Sequence, residues 1–195
     1  LPVFGHFSVS NVAAALGVAL HRGYELSEIN DLLNHLPKVP GRMEIYRVDG
    51  KPAVVVDYAH TPEALSLALS ATRTHLGGRL ICVFGCGGDR DQGKRQMMGA
   101  AVADQADMAI VTADNSRSEK VDVINEQIVE GFGNWDAYRL IPDRGAAVYE
   151  ALQSASSDDV VLIAGKGHET TQEINGEKKM FDDRDFVKNV LGLTE

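Results

Sequence analysis

Residues 80–95 read LICVFGCGGDRDQGKR, a short apolar run followed at once by a loop rich in glycine and charge. An apolar run without polar alternation is typical of a strand buried on both faces of a parallel sheet. Glycines let a backbone approach a ligand closely, and open parallel sheets bind ligands at the carboxyl ends of their strands. This stretch therefore predicts an α/β fold with a ligand site after Phe84.

The alternation of strand and helix runs through most of the chain. Strands are predicted at 53–58, 80–84, 108–112, 137–141 and 160–164, and helices from 61 to about 77 and at 95–106, 121–132, 143–155 and 185–191. Strands that alternate with helices in this way predict a mostly parallel, Rossmann-like sheet in a three-layer α/β arrangement.

Two pairs of turn residues predict antiparallel hairpins on either side of this region. Asp49-Gly50 separates the β-prone runs 43–48 and 53–58, and Asn175-Gly176 lies in the middle of the segment 171–181. Asp-Gly and Asn-Gly are the pairs that two-residue hairpin turns favour. We therefore expect an N-terminal antiparallel pair of strands beside the parallel sheet and a separate late hairpin.

The segment before residue 41 has a helical pattern instead. The spacing of small and apolar residues predicts a helix over 10–22, with Ser8 or Ser10 as its N-cap, and a second helix from Leu26 to Leu36. Two prolines and a glycine then interrupt the pattern between 37 and 41.

We place a domain boundary at this interruption. Residues 1–36 are expected to be two helices of a preceding domain, and residues 41–195 are expected to form the α/β domain. The chain begins Leu-Pro without a methionine, which favours an origin inside a longer polypeptide.

The composition of the 195 residues is typical of a globular protein, with 44% hydrophobic and 24% charged residues. Asp and Glu outnumber Lys and Arg by 28 to 19, which gives a net charge of -9. A nucleic-acid partner is not expected, because no surplus of basic side chains is left to neutralise a phosphate backbone. No membrane partner is expected either, since every apolar run is well short of the roughly 20 residues that cross a bilayer.

Two cysteines, Cys82 and Cys86, lie in and just after the apolar run that begins this section. Buried, unpaired thiols are typical of a cytoplasmic protein. No second pair of Cys or His residues stands near them at the spacing of metal ligands, so no metal site is predicted there.

Charged loops with glycine or Asx residues follow three of the predicted strands, at 85–95, 113–119 and 165–169. Arg117 offers the planar fork that matches a carboxylate, and Glu169 can accept an ammonium group. Because these loops share one edge of the sheet, together they suggest a zwitterionic, amino-acid-like ligand. The loop at 113–119 alone could equally be a solvated turn with Ser118 as a helix N-cap. The loop at 165–169 alone could be a plain glycine turn with a capping glutamate.

The first loop also has the spacing of a phosphate-binding P-loop, Gly88, four residues and then Gly93-Lys94. Arg95, however, stands where that motif needs a hydroxyl group for magnesium. Asp89 and Asp91 place negative charge where a triphosphate would lie. A nucleotide kinase that uses this loop is therefore only an alternative.

Asp57 and His60 end the strand at 53–58 and precede a helix. This position suits a contact to the ribose or phosphate of a nucleotide. The alternative is that Asp57 is a strand-end carboxylate satisfied within the protein and that His60 is an ordinary loop histidine.

Five segments carry a further signal: GRME at 41–44, DYAHTP at 57–62, residues 85–95, DNSR at 114–117 and GKGHE at 165–169. In this order they closely resemble the Mur ligases, and specifically the members that add meso-diaminopimelate to a peptidoglycan precursor. The resemblance implies that residues 41–195 are the C-terminal domain of that family and residues 1–36 the last helices of its central ATPase domain.

The resemblance implies an ATP-dependent enzyme that forms an amide. In that family ATP phosphorylates a carboxylate of UDP-N-acetylmuramoyl-dipeptide, and the amine of the incoming amino acid attacks the acyl phosphate. The residues implied to bind meso-diaminopimelate are Arg90, Asp114, Asn115, Ser116, Arg117, Gly165 and Glu169. Those that resemble nucleotide-facing positions are Asn11, Arg42, Asp57 and His60.

The sequence departs from the family pattern at two positions. Ser116 stands where the family usually has proline, so the turn loses a fixed φ. Ser8 stands where relatives usually have asparagine, which leaves Asn11 as the better candidate for a nucleotide contact.

The P-loop, the magnesium ligands and the UDP-sugar domain of the family would all precede Leu1. We therefore expect ATP and Mg²⁺ to be held mainly outside this chain, and no catalytic residue or metal ligand within it. The chain alone should then be inactive. The alternative from another class is a free-standing α/β module that binds an amino acid without catalysis.

Overall fold

A computed structural model describes residues 5–33, 35–74 and 77–193 of the chain. The chain divides into two compact units, Leu1–Val39 and Pro40–Glu195. The first unit contains helices α1 (His6–His21) and α2 (Leu26–Leu33). Within the described part of the chain, no helix has the length and apolar character that a membrane span requires.

Helix α1 begins earlier than the sequence predicts. Its N-cap is Gly5, with φ at 83°, so Ser8 and Ser10 lie inside the helix. The predicted serine cap was therefore wrong. A glycine already adopts the non-helical conformation at which the helix begins, and it does so without steric cost.

Helix α2 is shorter than the sequence predicts. It ends at Leu33, and Leu36 lies beyond it, with residue 34 outside the described part of the chain. Pro37 disfavours the helical conformation at the residue before it, which explains why the apolar pattern continues further than the helix.

A six-stranded sheet forms the centre of the second unit. Its strands are β1 (Glu44–Tyr46), β2 (Ala53–Asp57), β3 (Leu80–Phe84), β4 (Met108–Val111), β5 (Tyr138–Leu140) and β6 (Val160–Ala164). The spatial order is β1-β2-β6-β3-β4-β5, and every neighbouring pair is parallel except β1 with β2. The predicted fold class, a mostly parallel α/β sheet with one antiparallel pair at its start, is confirmed.

Helices cover both faces of this sheet. They are α3 (Pro62–Arg73), α4 (Gly93–Gln105), α5 (Val121–Val129) with a following 3₁₀ turn (Glu130–Phe132), α6 (Arg144–Ser154) and α7 (Asp183–Leu191). α6 and α7 pack through Val148 and Val187 into the cluster that contains Val83 and Ile163. α3, α4 and α5 pack beside one another on the opposite face. All five residues of β3 are 0% exposed, as the unbroken apolar run predicts.

The connection between β1 and β2 is looser than a two-residue hairpin. The amide of Lys51 donates to the carbonyl of Val48 at 3.1 Å, and Gly50 has φ at 74°. Asp49-Gly50 does form the predicted turn, but the strands stop short of it. Pro52 has no amide hydrogen for the ladder, so β2 begins only at the next residue.

The late hairpin matches its prediction closely. It consists of β7 (Thr171–Ile174) and β8 (Glu177–Met180), which pair antiparallel. Asn175 and Gly176 both have positive φ, 52° and 76°, as a type I′ turn requires.

Candidate functional site

The loops that follow β2, β3, β4 and β6 meet at the carboxyl edge of the sheet. The amide of Gly165 donates to the carbonyl of Asp57 at 3.1 Å, and the amide of Gly88 donates to the carbonyl of Asn115 at 2.9 Å. The parallel order of these strands makes the convergence unavoidable, since all four end at this edge.

Glycines allow these loops to touch backbone to backbone. A Cβ on Gly85 would overlap the carbonyl of Thr112, and a Cβ on Gly88 would overlap the carbonyl of Ser116. These two glycines therefore serve close packing between the β3 and β4 loops rather than chain flexibility.

Asn115 and Glu169 connect the β4 loop to the β6 loop. Nδ2 of Asn115 donates to Oε2 of Glu169 at 2.8 Å, and Nζ of Lys166 donates to the same oxygen at 3.0 Å. Burial acts to raise the pKa of Glu169, but these two donors outweigh it and hold the pKa below its ordinary value. Glu169 is therefore ionised at neutral pH. Its Oε1 accepts no hydrogen bond from the described residues.

Arg117 has one side of its guanidinium group bonded and the other side open. Nη1 donates to the carbonyls of Gly88 at 2.7 Å and Asn115 at 3.3 Å. The backbone amide, at a φ of 50°, donates to the carbonyl of Glu173 in β7 at 3.1 Å. Nε and Nη2 donate to none of the described residues. These two atoms form the edge that a carboxylate binds in bidentate fashion.

Asp114, Ser116 and Gly165 complete the predicted set in these two loops. Asp114 is 9% exposed, and its Oδ1 accepts the amide of Asn115 at 2.6 Å. A Cβ on Gly165, whose φ is 115°, would lie 2.6 Å from the other oxygen of Asp114. Glycine therefore keeps space beside a buried carboxylate. Ser116 is buried, and its hydroxyl has no hydrogen-bond partner among the described residues.

The arginines of the β3 loop have opposite environments. Arg90 is exposed and donates to the carbonyl of Asp89 at 3.3 Å. Arg95 is fully buried and donates to both carboxylate oxygens of Glu119, at 2.9 and 2.8 Å. The bond from Arg95 lowers the pKa of Glu119 to about 2. Arg95 thus fastens the β3 loop to the β4 loop, and its position in the P-loop spacing is filled by a buried ion pair where that motif needs a hydroxyl group for magnesium.

Ser118 does not cap helix α5. Its hydroxyl donates to Oδ1 of Asp89 at 2.6 Å and its amide donates to Oδ2 at 3.2 Å. Helix α5 begins at Val121 after Lys120. The interpretation of Ser118 as an N-cap was wrong because a carboxylate from the neighbouring loop takes its hydroxyl.

Arg144 and Asp183 form a buried ion pair beneath the loops. Both side chains are 0% exposed, and Nε and Nη2 of Arg144 each donate to one oxygen of Asp183 at 2.8 Å. The guanidinium also donates to the carbonyls of Ala113 at 3.2 Å and Ala164 at 3.0 Å. These carbonyls lie at the carboxyl ends of β4 and β6, so the pair fixes the backbone from which two of the loops start.

An aromatic and cationic group lies beside the β6 loop. The guanidinium of Arg42 lies 4.5 Å from the ring centroid of Tyr58, and the rings of His60 and His168 lie 4.6 and 5.0 Å from it. Lys94 donates to the carbonyl of His60 at 2.9 Å. Exposed rings and cations in this arrangement suit the base and phosphates of a nucleotide.

Asp57 has both carboxylate oxygens bonded to the backbone. They accept the amides of Met43 at 2.7 Å and Ala59 at 2.8 Å. Burial raises the pKa of Asp57, and these backbone bonds oppose the rise. The side chain therefore orders the segment that carries Arg42. Asn11, the remaining nucleotide candidate, is an exposed residue of α1 in the first unit.

Sequence reasoning assigned no role to Lys166, Arg144 or Tyr58. Lys166 and Arg144 are buried cations, although a lysine between glycines and an arginine at a helix start are usually solvated. Tyr58 lies inside the segment DYAHTP at 57–62, and the signal that could have identified it is an aromatic residue between an aspartate and a histidine.

A family model described as "Mur ligase, glutamate ligase domain" matches residues 41–167. The chain belongs to the Mur ligase family. This Mur ligase chain is 48% identical over 191 residues to UDP-N-acetylmuramoyl-L-alanyl-D-glutamate--2,6-diaminopimelate ligase of Xylella fastidiosa strain 9a5c. It is 46% identical over 194 residues to the ligase of the same name from Pseudomonas aeruginosa strain PAO1.

The Mur ligase chain spans about two fifths of the length of the curated relatives it matches. The two alignments cover 97% and 100% of this chain but 39% and 40% of the relatives. The predicted resemblance to the family is confirmed over this part.

Solved structures agree with this assignment. A structure of UDP-N-acetylmuramoyl-L-alanyl-D-glutamate--2,6-diaminopimelate ligase has a TM-score of 0.76 and 42% identity to the Mur ligase chain, covering 98% of it and 39% of that ligase. Folylpolyglutamate synthase of Mycobacterium tuberculosis, complexed with ADP and AMPPCP, has a TM-score of 0.69 and 24% identity, covering 85% of this chain and 38% of that one. The second likeness shows a shared fold.

Proposed function

We propose that this chain is the C-terminal part of an ATP-dependent ligase that adds meso-diaminopimelate to UDP-N-acetylmuramoyl-L-alanyl-D-glutamate through an acyl phosphate. Residues 1–36 belong to its central ATPase domain and residues 41–195 form its amino-acid-binding domain. The names of the curated relatives support this function. The observation that carries it is the pairing of an open arginine edge with a fixed carboxylate at one edge of the sheet.

The proposed ligand carries carboxylates and ammonium groups, and the loops offer a counterpart to each. The Nε and Nη2 edge of Arg117 suits a carboxylate, and Oε1 of Glu169 suits an ammonium group. Asn115 bonds to both side chains, through its carbonyl to Arg117 and through Nδ2 to Glu169. Asn115 therefore connects the two recognition groups to each other. Arg90 is exposed and adds a second cation, since its Cγ and Nη1 of Arg117 both lie within 4 Å of the Cβ position of Gly87.

The remaining proposed contacts shape the pocket. Asp114 and Gly165 lie against each other, and Ser116 lies buried between the residues that make direct contacts. These groups are held before any ligand arrives, by the ion pairs of Arg95 and Arg144. Preorganisation of this kind lowers the entropic cost of aligning an amine with an acyl group.

The proposed nucleotide contacts are Asn11, Arg42, Asp57 and His60, with the ring of Tyr58 beside the last three. When bound, ATP supplies the phosphoryl group that activates the carboxylate, and Mg²⁺ neutralises part of the phosphate charge. No cluster of three His, Cys, Asp or Glu side chains in the described residues is arranged to hold a metal ion. The resemblance to the family implies that the magnesium ligands lie in the rest of the ligase, and we propose this location for them.

The test is amide formation by the full-length gene product that contains this chain. We expect ATP-dependent release of phosphate and a tripeptide product, both of which require meso-diaminopimelate. The chain of 195 residues alone should release no phosphate.

Two other outcomes would favour the alternatives. Binding of diaminopimelate by the full-length product without turnover would indicate a non-catalytic amino-acid-binding module. Phosphate release by the chain alone that Lys94→Ala abolishes would indicate a P-loop enzyme.

A further inference from the structure

We propose that Lys166 is a positioning residue for the amino-acid substrate: it fixes Glu169 to the start of β7 and so presents Oε1 of Glu169 to the ammonium group of the ligand. This inference rests on the proposed function.

Lys166 is buried in a way that requires partners for its charge. Its side chain is 0% exposed, and Nζ donates to Oε2 of Glu169 at 3.0 Å and to the carbonyl of Thr171 at 2.6 Å. A buried ammonium without such acceptors would be strongly unfavourable. The lysine therefore folds the β6 loop back onto the strand that follows it.

The carboxylate that Lys166 holds has a buried side and an open side. Oε2 of Glu169 accepts both protein donors, Lys166 and Asn115, whereas Oε1 accepts none from the described residues. The Glu169 side chain remains 32% exposed. A pair that served stability alone could be replaced by packed apolar residues, often without loss. Here the buried lysine supports a carboxylate that still faces outward.

Lys166 also closes a ring of contacts around this carboxylate. Starting from Lys166, the ring passes through Glu169 to Nδ2 of Asn115. Oδ1 of Asn115 then accepts the amide of Glu173 in β7 at 2.9 Å. Two residues back along β7, the carbonyl of Thr171 returns to Nζ of Lys166. The ring leaves Glu169 little freedom to rotate, and Lys166 is the member that places a positive charge against this carboxylate.

The electrostatic surroundings identify what removal of Lys166 should change. Glu169 is bonded to Lys166, and it also interacts through charge with His168 and Arg144. Loss of the lysine therefore raises the pKa of Glu169 and frees the side chain. A freed side chain no longer presents Oε1 to an ammonium group, and a raised pKa means that the carboxylate is protonated, and unable to bind that group, at a higher pH than in wild type. Nζ of Lys166 bonds to Glu169 and Thr171 and to none of the described residues around Tyr58.

The experiment compares Lys166→Met and Lys166→Gln with wild type in the full-length gene product. For Lys166→Met we expect the KM for meso-diaminopimelate to rise about tenfold or more, with a smaller change in kcat and a KM for ATP within about twofold. The acid limb of the profile of kcat/KM against pH should move to higher pH. Lys166→Gln keeps a donor without the charge, so we expect a smaller rise in KM and the same direction of movement.

Lys51→Met is the matched control. Lys51 also donates to a backbone carbonyl, that of Leu191 at 3.0 Å, but it lies at the other end of β2. We expect its removal to leave both KM values and the pH profile unchanged.

The outcomes separate this proposal from the function on which it rests. If the wild type forms no amide with meso-diaminopimelate, the proposed function fails. If the wild type is active and a folded Lys166→Met variant keeps its KM within about twofold and its acid limb in place, the positioning role is wrong. If that variant does not fold, Lys166→Gln decides by the same two measurements. Failure of both variants to fold would make Lys166 a stability residue and overturn the proposal.

Discussion

Arg144 and Arg117 lie at the same edge of the sheet but differ in what their guanidinium groups contact. Nε and Nη2 of Arg144 hold both oxygens of the buried Asp183. The same two atoms of Arg117 hold no described residue, although its Nη1 is bonded to the carbonyl of Gly88. One arginine is satisfied within the protein and the other is oriented but open. If Arg117 has the proposed recognition role, we expect stability to depend on Arg144 and specificity on Arg117, so that each can be changed without the other.

The largest effect is expected from replacing Arg144, the buried arginine of this comparison. Arg144→Met leaves Asp183 buried without its partner, and we expect the free energy of unfolding of the chain to fall by about 3–5 kcal/mol. Urea denaturation of the 195-residue chain measures this.

The double variant Arg144→Met with Asp183→Leu is the control. It removes the orphaned charge, so part of the lost stability should return. A loss below about 1 kcal/mol in the single variant would mean that the pair is not a structural centre.

A substitution of Arg117, the arginine with the open edge, should change substrate specificity instead. Lysine lacks only the far carboxylate of diaminopimelate, so selection between them must recognise that group. Arg117→Ala should lower the ratio of kcat/KM for meso-diaminopimelate to that for L-lysine on the order of a thousandfold, because a bidentate partner is lost. Arg117→Lys should not restore it, since a point charge lacks the planar fork. Steady-state kinetics of the full-length gene product with both amino acids gives the ratio.

Arg73→Ala is the matched control for that measurement. Arg73 forms an exposed ion pair with Asp107, with both side chains 40% exposed, away from the loops. Its removal should leave the ratio unchanged. A ratio that stays within a few-fold after Arg117→Ala would show that Arg117 is not the selector.

The ion pair of Arg95 and Glu119 lies between these two cases, because it is only partly buried and its carboxylate can be titrated. Glu119 has a pKa of about 2 in the folded chain against an ordinary value of 4.5. The unfolded chain therefore takes up the proton first, and stability present above pH 4.5 is lost as the pH falls toward 2. Glu119→Gln should flatten this acid limb in urea unfolding measured over that range. Glu177→Gln, at a carboxylate 74% exposed, should leave the limb as it is.

The smallest effect is expected at Ser116, which is buried like Arg144 but belongs to the proposed ligand-binding set like Arg117. Its hydroxyl is buried without a partner, and its amide donates to none of the described residues. Ser116→Pro removes the orphaned hydroxyl and restricts the unfolded chain, so we expect a gain of about 0.4–1 kcal/mol in stability and an unchanged specificity ratio. Urea denaturation together with the two-substrate assay checks both. A loss of stability would show that the backbone at Ser116 does not fit proline.

The strand order along the chain could be predicted because the deciding signals are local. The apolar run at 80–84 corresponds residue for residue to β3, and Asn175-Gly176 forms the predicted two-residue turn. The start of α1 could not be placed from serines alone, because Gly5 adopts the non-helical conformation first.

The contacts of the site could not be predicted, because the partners are distant in sequence. Arg95 and Glu119 are 24 residues apart, and Arg144 and Asp183 are 39 apart. A sequence shows each of these as a charge in a loop or at a helix end, and only the fold shows which one is buried. The loops that carry Arg117 and Glu169 could be grouped, since parallel strands end at one edge. Their ligands remain a prediction.

The place of β6 in the sheet has a consequence for how the chain is made. β6 pairs with β2 on one side and β3 on the other, yet it is the last strand of the large sheet to be synthesised. Until it emerges from the ribosome, β1–β2 and β3–β4–β5 can form only separate pieces, in which the apolar strands β2 and β3 each have an unpaired edge. Long-range parallel pairing is slow, and open strand edges promote association between chains. A chain that stops before Val160 is therefore expected to aggregate rather than to fold.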